Sequence, residues 1–346
     1  MVITSAIKPE VAMAIKEIKR EQAKIRDHLW REVSESELPH ALEDLNAQHL
    51  DAHKRAFALA VEQVGAGIDL GRIRFAAVLL GSGARGEQLF YSDQDHALVY
   101  DPGAVQAAET EEWTAYFSQV GLVYGALLHE LGYPLCTGNV MMSNPRWRGT
   151  VGEWERRIDE YSGYPDWDSI RYLLIASDAR AIIGDAGLVG LVRRQVAGCV
   201  ARSPYICWKI ADQGLADRAQ GTVFPGWRDL ADTSFSIKER LYNPLVNSVR
   251  LWALSIGIED ISSLSRIDQL YLKKAWTEEL ANEVKSALFV AIALRWRQQV
   301  KMGENAVEGA NDAALRGQDR EALNAALRTV RKLIQISTRH FPRPRR

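Results

Sequence analysis

The chain has 346 residues with 43 basic against 44 acidic side chains and 47% hydrophobic content, the profile of an ordinary globular protein long enough for two or three domains. A net charge of -1 leaves no overall field for nucleic acid or an anionic membrane, and the three cysteines, Cys136, Cys199 and Cys207, form no CxxC pair, so neither a disulfide framework nor a zinc site is indicated. There is no apolar run of about 18 residues, and Met1-Val2-Ile3-Thr4-Ser5 leads straight into a charged segment, which argues against secretion and membrane spanning and for a cytoplasmic protein.

Along residues 8–31, Val11, Ile15, Ile18 and Ile25 recur at helical spacing, and the same pattern in Leu42, Leu45, Ala52, Phe57 and Val61 predicts a second helix over residues 39–64. Residues 73–80 then form a short apolar run bounded by glycines, which reads as a buried strand. A second strand is expected over residues 94–100, ended by Asp101-Pro102-Gly103. Trp113, Phe117, Val120, Tyr124, Leu127 and Leu131 trace the stripe of a helix about 25 residues long. Residues 135–143 read as extended, and Ser143-Asn144-Pro145 as a turn or helix entry.

Beyond that point the pattern is helical, over about residues 150–161, 167–183, 188–201 and 205–219. The pattern breaks at residues 221–232 and resumes at Asn243-Pro244, where a favoured cap residue precedes proline. Leu245, Val249, Trp252 and Ile256 mark this helix, Leu280, Val284, Leu288 and Ile292 another, and Leu323, Leu327, Val330 and Ile334 the last, with residues 302–318 as a loop. The basic end, residues 339–346, reads as a solvated tail, with contact to a polyanion as the alternative. The expected fold class is α+β: residues 1–66 an N-terminal helical segment, 67–200 a small mixed-sheet domain and 201–346 a C-terminal helical bundle.

The chemistry concentrates in residues 79–100. Alternation along a strand sends Asp93 and Asp95 to the same face, with Cα atoms roughly 6 to 7 Å apart. Two carboxylates suit a hard divalent cation such as Mg2+, which binds through one or two carboxylates, water and phosphate oxygens. Gly81 and Ser82 stand where backbone amides and a hydroxyl meet a phosphate chain without side-chain obstruction. His96 has the opposite parity and reads as a packed histidine.

Gly81-Ser82-Gly83-Ala84-Arg85-Gly86-Glu87-Gln88, followed by Ser92-Asp93-Gln94-Asp95, resembles the signature of the DNA polymerase beta-like nucleotidyltransferases. More closely, it resembles a nucleotidyltransferase family named as domain of unknown function 294 and related to the uridylyltransferases of the PII signalling protein. Residues 132–148, residues 178–185 and stretches of the C-terminal half agree with it. The resemblance implies a polymerase beta-like domain that transfers a nucleoside monophosphate from a nucleoside triphosphate to a protein or small-molecule acceptor, with release of pyrophosphate. It implies Asp93 and Asp95 as catalytic metal ligands, Gly81, Ser82, Arg85 and Ser92 as nucleotide-binding residues, and Mg2+ or Mn2+ as the ion. The alternative is a nucleotide sensor with the fold but little turnover, and nucleic acid is disfavoured as acceptor by the charge.

That superfamily pattern includes a third carboxylate on a later strand. Asp101 shares the parity of Asp93 and Asp95 but lies about 20 Å further along a strand, and residues 135–143 hold no acid, only Asn139 and Ser143 as polar candidates. Asp178 is the remaining candidate, with an ion pair to Arg180 as its structural alternative. Glu87 reads equally as a partner that fixes the loop through a basic neighbour. Arg146 and Arg148 read either as a phosphate or base clamp or as packing around Trp147.

Overall fold

The computed structural model describes residues 7–31, 33–34, 36–65, 67–103, 107–216, 236–303 and 317–344. Two compact units divide it: residues 1–31, 39–157 and 178–193 form the first, residues 32–38, 158–177 and 194–346 the second.

The first unit holds α1 (Pro9–Leu29), α2 (Leu38–Val64), β1 (Arg74–Leu79), α3 (Gly81–Arg85), β2 (His96–Asp101), α4 (Ala107–Glu130), β3 (Arg148–Thr150) and β4 (Arg180–Gly184). α1 starts at a proline in its first turn, where the missing amide costs no hydrogen bond, and buries Val11, Ile15 and Ile18 on one face. The sheet order is β3-β2-β1-β4. β1 is central, antiparallel to β2 and β4, and β2 runs parallel to β3. β1 and β2 are nearly continuous apolar runs because both are covered: Phe75 of β1 stacks on Phe57 of α2 at 6.0 Å and meets Phe117 of α4 at 5.7 Å.

Two of the four strands differ from the sequence reading. Residues 180–183, expected at the end of a helix over 167–183, instead lie beyond α6 (Trp167–Ala176) and belong to β4, which pairs with β1. The period of an apolar run does not separate a buried strand from a buried helix, and here sheet pairing decides. Residues 135–143, expected as a strand, contribute only a parallel bridge between Leu135 and Gln94. The third strand is Arg148–Thr150, after a 3-10 turn over Pro145–Trp147. The glycine turn of residues 81–85 is a short helix.

α5 (Val151–Gly163) and α7 (Ala186–Arg202) contribute residues to both units. The second unit includes α6, α8 (Pro204–Lys209), α9 (Asn243–Ser255), α10 (Ser263–Leu272), α11 (Glu278–Met302) and α12 (Gly317–His340). The expected cap at Asn243 is absent. A π-helical turn over Lys238–Tyr242 runs directly into α9, so the helix needs no new start, and the Asn243 amide donates to Glu239 at 3.0 Å. The expected break at 221–232 lies outside the described residues, as does 304–316 of the expected loop. None of the described helices is long and apolar enough to cross a membrane.

Candidate metal and nucleotide site

The site begins where β1 ends. Leu80 donates its amide to the Asp95 carbonyl at 3.0 Å, which extends the β1–β2 pairing by one step and holds Asp95 at the mouth of the α3 turn. Gly81 there has φ +56°, and a β-carbon on it would lie 2.4 Å from Asp95 Oδ2. The carboxylate therefore rests against bare backbone, a place no side chain at residue 81 could share. Ser82, half-buried, follows at the start of α3, where helix amides have no intrahelical acceptor.

The loop between α3 and Asp93 is pinned at several points. Ser82 O accepts the Glu87 amide at 2.9 Å. Asn46 of α2 grips the Gln88 backbone from both sides, accepting from its amide at 3.0 Å and donating to its carbonyl at 3.1 Å. The Ser92 hydroxyl donates to Leu89 O at 3.1 Å, which closes the turn just before Asp93.

Asp93 and Asp95 project together, and a third group joins them. One ligand atom each from Asp93, Asp95 and Cys136 lies within 4.8 Å of the others, with all three residues half-buried. Ligands of one ion at about 2.1 to 2.5 Å stand no more than about 4 to 5 Å apart, so this cluster has the dimensions of a cation site. Burial, and then the Asp95 carboxylate beside it, push the Cys136 thiol far up, so it is protonated at neutral pH.

Cys136 is brought there by a lattice of bonds that has no periodic signature. The Gln94 amide donates to Pro134 O and the His96 amide to Val140 O, each at 3.0 Å. His96 itself is fully buried; its Nδ1 accepts the Met142 amide at 3.0 Å and its Nε2 lies 2.9 Å from Gln94 Oε1. A donor on Met142 requires Nδ1 to be unprotonated, so Nε2–H donates to Gln94. Burial takes the His96 pKa down to about 3, consistent with this neutral form and with the packed role expected of it. The Gln94 amide group then donates to Gly125 O and Tyr133 O, both at 3.1 Å.

Arg85 is placed differently from its expected contact with phosphate. Its side chain is 5% exposed, with Nε 2.9 Å from Glu87 Oε2 and Nη1 2.6 Å from Asp178 Oδ2. Two carboxylates neutralise it inside the protein, which makes it a brace for the 81–95 loop. The same pair removes Asp178 as a candidate base: it is fully buried under a guanidinium, and its partner is Arg85 rather than Arg180. Asp101 faces Arg74 at 3.2 Å. Arg148 is also structural, donating through Nη1 to the carbonyls of Met142 and Ser143, and Arg157 donates to Arg146 O and Arg148 O.

Of the nucleotide-site residues read from the sequence, the structure brings Gly81, Ser82, Asp93 and Asp95 to one mouth, ties the Ser92 hydroxyl into the adjoining turn and turns Arg85 inward. Cys136 was missed as a site residue. Its position in the segment expected beside Asp93 and Asp95 is the available signal, because that segment holds a thiol where the superfamily pattern has a carboxylate.

Residues 19–168 match the family described as "Putative nucleotidyltransferase DUF294". Residues 223–341 match the "Putative nucleotidyltransferase substrate binding domain" of the same family. No curated protein matches the chain. The two matches follow one another over most of the sequence, and the first contains the whole Gly81-to-Cys136 cluster, so the chain belongs to the DUF294 nucleotidyltransferase family.

Proposed function

We propose that this protein is a divalent-metal-dependent nucleotidyltransferase that moves a nucleoside monophosphate from a nucleoside triphosphate to a hydroxyl of a protein or small-molecule acceptor and releases pyrophosphate. The convergence of the Asp93 and Asp95 carboxylates beside the side-chain-free backbone of Gly81 carries this reading. Asp93 and Asp95 would hold Mg2+ or Mn2+. The bound cation would supply charge neutralisation of the triphosphate and polarisation of the phosphorus under attack.

The chain's own groups do the rest. Gly81 lets phosphate oxygens approach the backbone, and Ser82 offers an amide and a hydroxyl to them. The Ser92 hydroxyl shapes the turn that presents Asp93, and Arg85, locked between Glu87 and Asp178, holds the loop in register. The transferase site stands on residues 81–136, and the match of residues 223–341 favours the C-terminal helices as the part that recognises the acceptor. The resemblance to PII-protein uridylyltransferases favours a cytoplasmic signalling role with a protein acceptor.

The test is incubation of the purified chain with Mg2+ or Mn2+ and each α-labelled nucleoside triphosphate, alone and with cell extract, beside a variant carrying Asp93→Asn and Asp95→Asn. Label should move to an acceptor with the native chain and not with the variant. Absence of transfer with every nucleotide would overturn the reading. A second reading, a nucleotide sensor of weak turnover, is favoured by one observation: the residue that joins Asp93 and Asp95 is a thiol rather than a third carboxylate. Nucleoside triphosphate binding by equilibrium dialysis, without transfer, would select it.

A further inference from the structure

Asp93 and Asp95 alone suit magnesium, but the Cys136 thiol beside them adds a ligand that magnesium does not need. Magnesium takes six hard oxygen ligands and gains little from sulfur, whereas a thiolate selects borderline and soft ions such as zinc, cobalt and cadmium. Three protein ligands also match the coordination of a zinc-class ion that keeps one position open for water or substrate. Cys136 reaches the cluster from a separate segment, held by the Gln94–Pro134 and His96–Val140 hydrogen bonds and by the fully buried His96 beneath them. The sulfur is held by its own segment, with Sγ within 4.8 Å of a carboxylate oxygen of both Asp93 and Asp95.

We infer that Cys136 is a third metal ligand alongside Asp93 and Asp95, and that it makes this site prefer zinc-class divalent cations over magnesium. The inference rests on the reading of Asp93 and Asp95 as metal ligands, and it deepens that reading by naming the class of ion. On binding, a sulfur–metal bond replaces the thiol S–H bond and the proton passes to solvent. Oxidation state does not change, and no co-reactant is needed. A chain occupied by a zinc-class ion and one exposed only to magnesium would then differ in how much charge the site offers a triphosphate.

The readout is the ultraviolet charge-transfer absorption of a cadmium–thiolate bond, followed while the full-length, reduced protein is titrated with Cd2+ alone. The native chain should develop the band and saturate near one ion per chain. Cys136→Ser should lose the band and bind Cd2+ about tenfold or more weakly, with Mg2+ affinity within about twofold of native. The Asp93→Asn, Asp95→Asn variant keeps the thiol and should also bind Cd2+ about tenfold or more weakly, because the three residues share one ion.

A band that persists in Cys136→Ser would assign the signal to Cys199 or Cys207 and overturn the inference, as would unchanged Cd2+ affinity in either variant. Should Cys136→Ser fail to fold, competition on the native chain decides: Mg2+ in about hundredfold excess should leave the band intact, and its displacement by equimolar Mg2+ would overturn the preference. Failure of the transferase reading shows separately, as absent label transfer with any metal while the band still forms.

Discussion

At Gly81 a single hydrogen atom where other residues carry a β-carbon decides whether the site exists. The substitution Gly81→Ala would place a methyl 2.4 Å from Asp95 Oδ2 and force an alanine into φ +56°. The expected outcome is loss of nucleotidyl transfer by at least about tenfold, from displacement of the carboxylate, with the far-ultraviolet circular dichroism unchanged. Replacing Asp93 or Asp95 by asparagine should cost several kcal/mol of transition-state stabilisation, a rate loss of about 100-fold or more in the label-transfer assay. A loss under about tenfold would remove that residue from the assigned role.

Arg85 behaves in the opposite way. Its guanidinium is buried between Glu87 and Asp178, so Arg85→Ala leaves two carboxylates facing each other without their common counter-charge. Breaking a buried pair in this way costs about 3 to 5 kcal/mol, and the variant should unfold at markedly lower urea concentration. Arg85→Lys should recover only part of that loss, since an ammonium cannot fork to both partners.

Among the elements, the packing of α2 and α4 on β2 carries a pH dependence. His53 on α2 lies 2.6 Å from the Tyr124 hydroxyl of α4, His49 lies 2.8 Å from that of Tyr133, and the His96 ring sits 4.7 Å from the Tyr124 ring. Burial lowers all three histidines, His49 to about 4, His96 to about 3 and His53 well below its ordinary value, with His96 and His49 adding to the effect on His53. The unfolded chain, with histidines near 6.5, binds more protons than the folded one between those limits, so stability is full above about pH 6.5 and falls as pH drops toward 4. Thermal unfolding followed across that range should show the midpoint descending steadily; a flat profile would contradict the neutral buried state.

β4 depends on another glycine. Gly184 has φ +89°, and a β-carbon there would stand 2.1 Å from the Phe75 carbonyl oxygen, at the end of β4 where Gly184 pairs with Ala76 of β1. Gly184→Ala must therefore push the edge strand off the sheet centre. A loss of about 2 kcal/mol or more is expected from urea unfolding, since both strain and pairing are affected. The sequence predicts a helix over residues 167–183, because Ala179, Ala181, Ile182 and Ile183 follow a helical stretch without a strong breaker. Only pairing with Ala76–Leu79 makes them extended.

At the scale of the molecule, the two compact units interleave in sequence. Residues 158–177 belong with residues 194–346, and Arg266, 1% exposed, donates to the Ser177 carbonyl as well as to that of Asp260. A fragment of residues 201–346 would leave the buried Arg266 without one of its acceptors and the bundle without α6. Such a fragment should unfold with less cooperativity in calorimetry than a fragment of residues 158–346, which keeps both. Equal cooperativity would support a boundary near residue 200.

Read by itself, the sequence determined what local chemistry and periodicity carry. The long helices are legible because their apolar positions repeat at the helical period, the central strand pair because its runs are short and bounded by glycine, and the Asp93/Asp95 pair because alternation along an extended chain puts both on one side. The motif also sufficed to name the family. Tertiary structure alone decided the partners that sequence separation hides: Asp178 closing on Arg85 from 93 residues away, β4 completing the sheet, and Cys136 arriving beside two aspartates more than forty residues earlier. Irregular segments such as residues 134–142 have no period to betray their path. Their course is set by which buried amides and carbonyls must be satisfied once the helices and strands have packed.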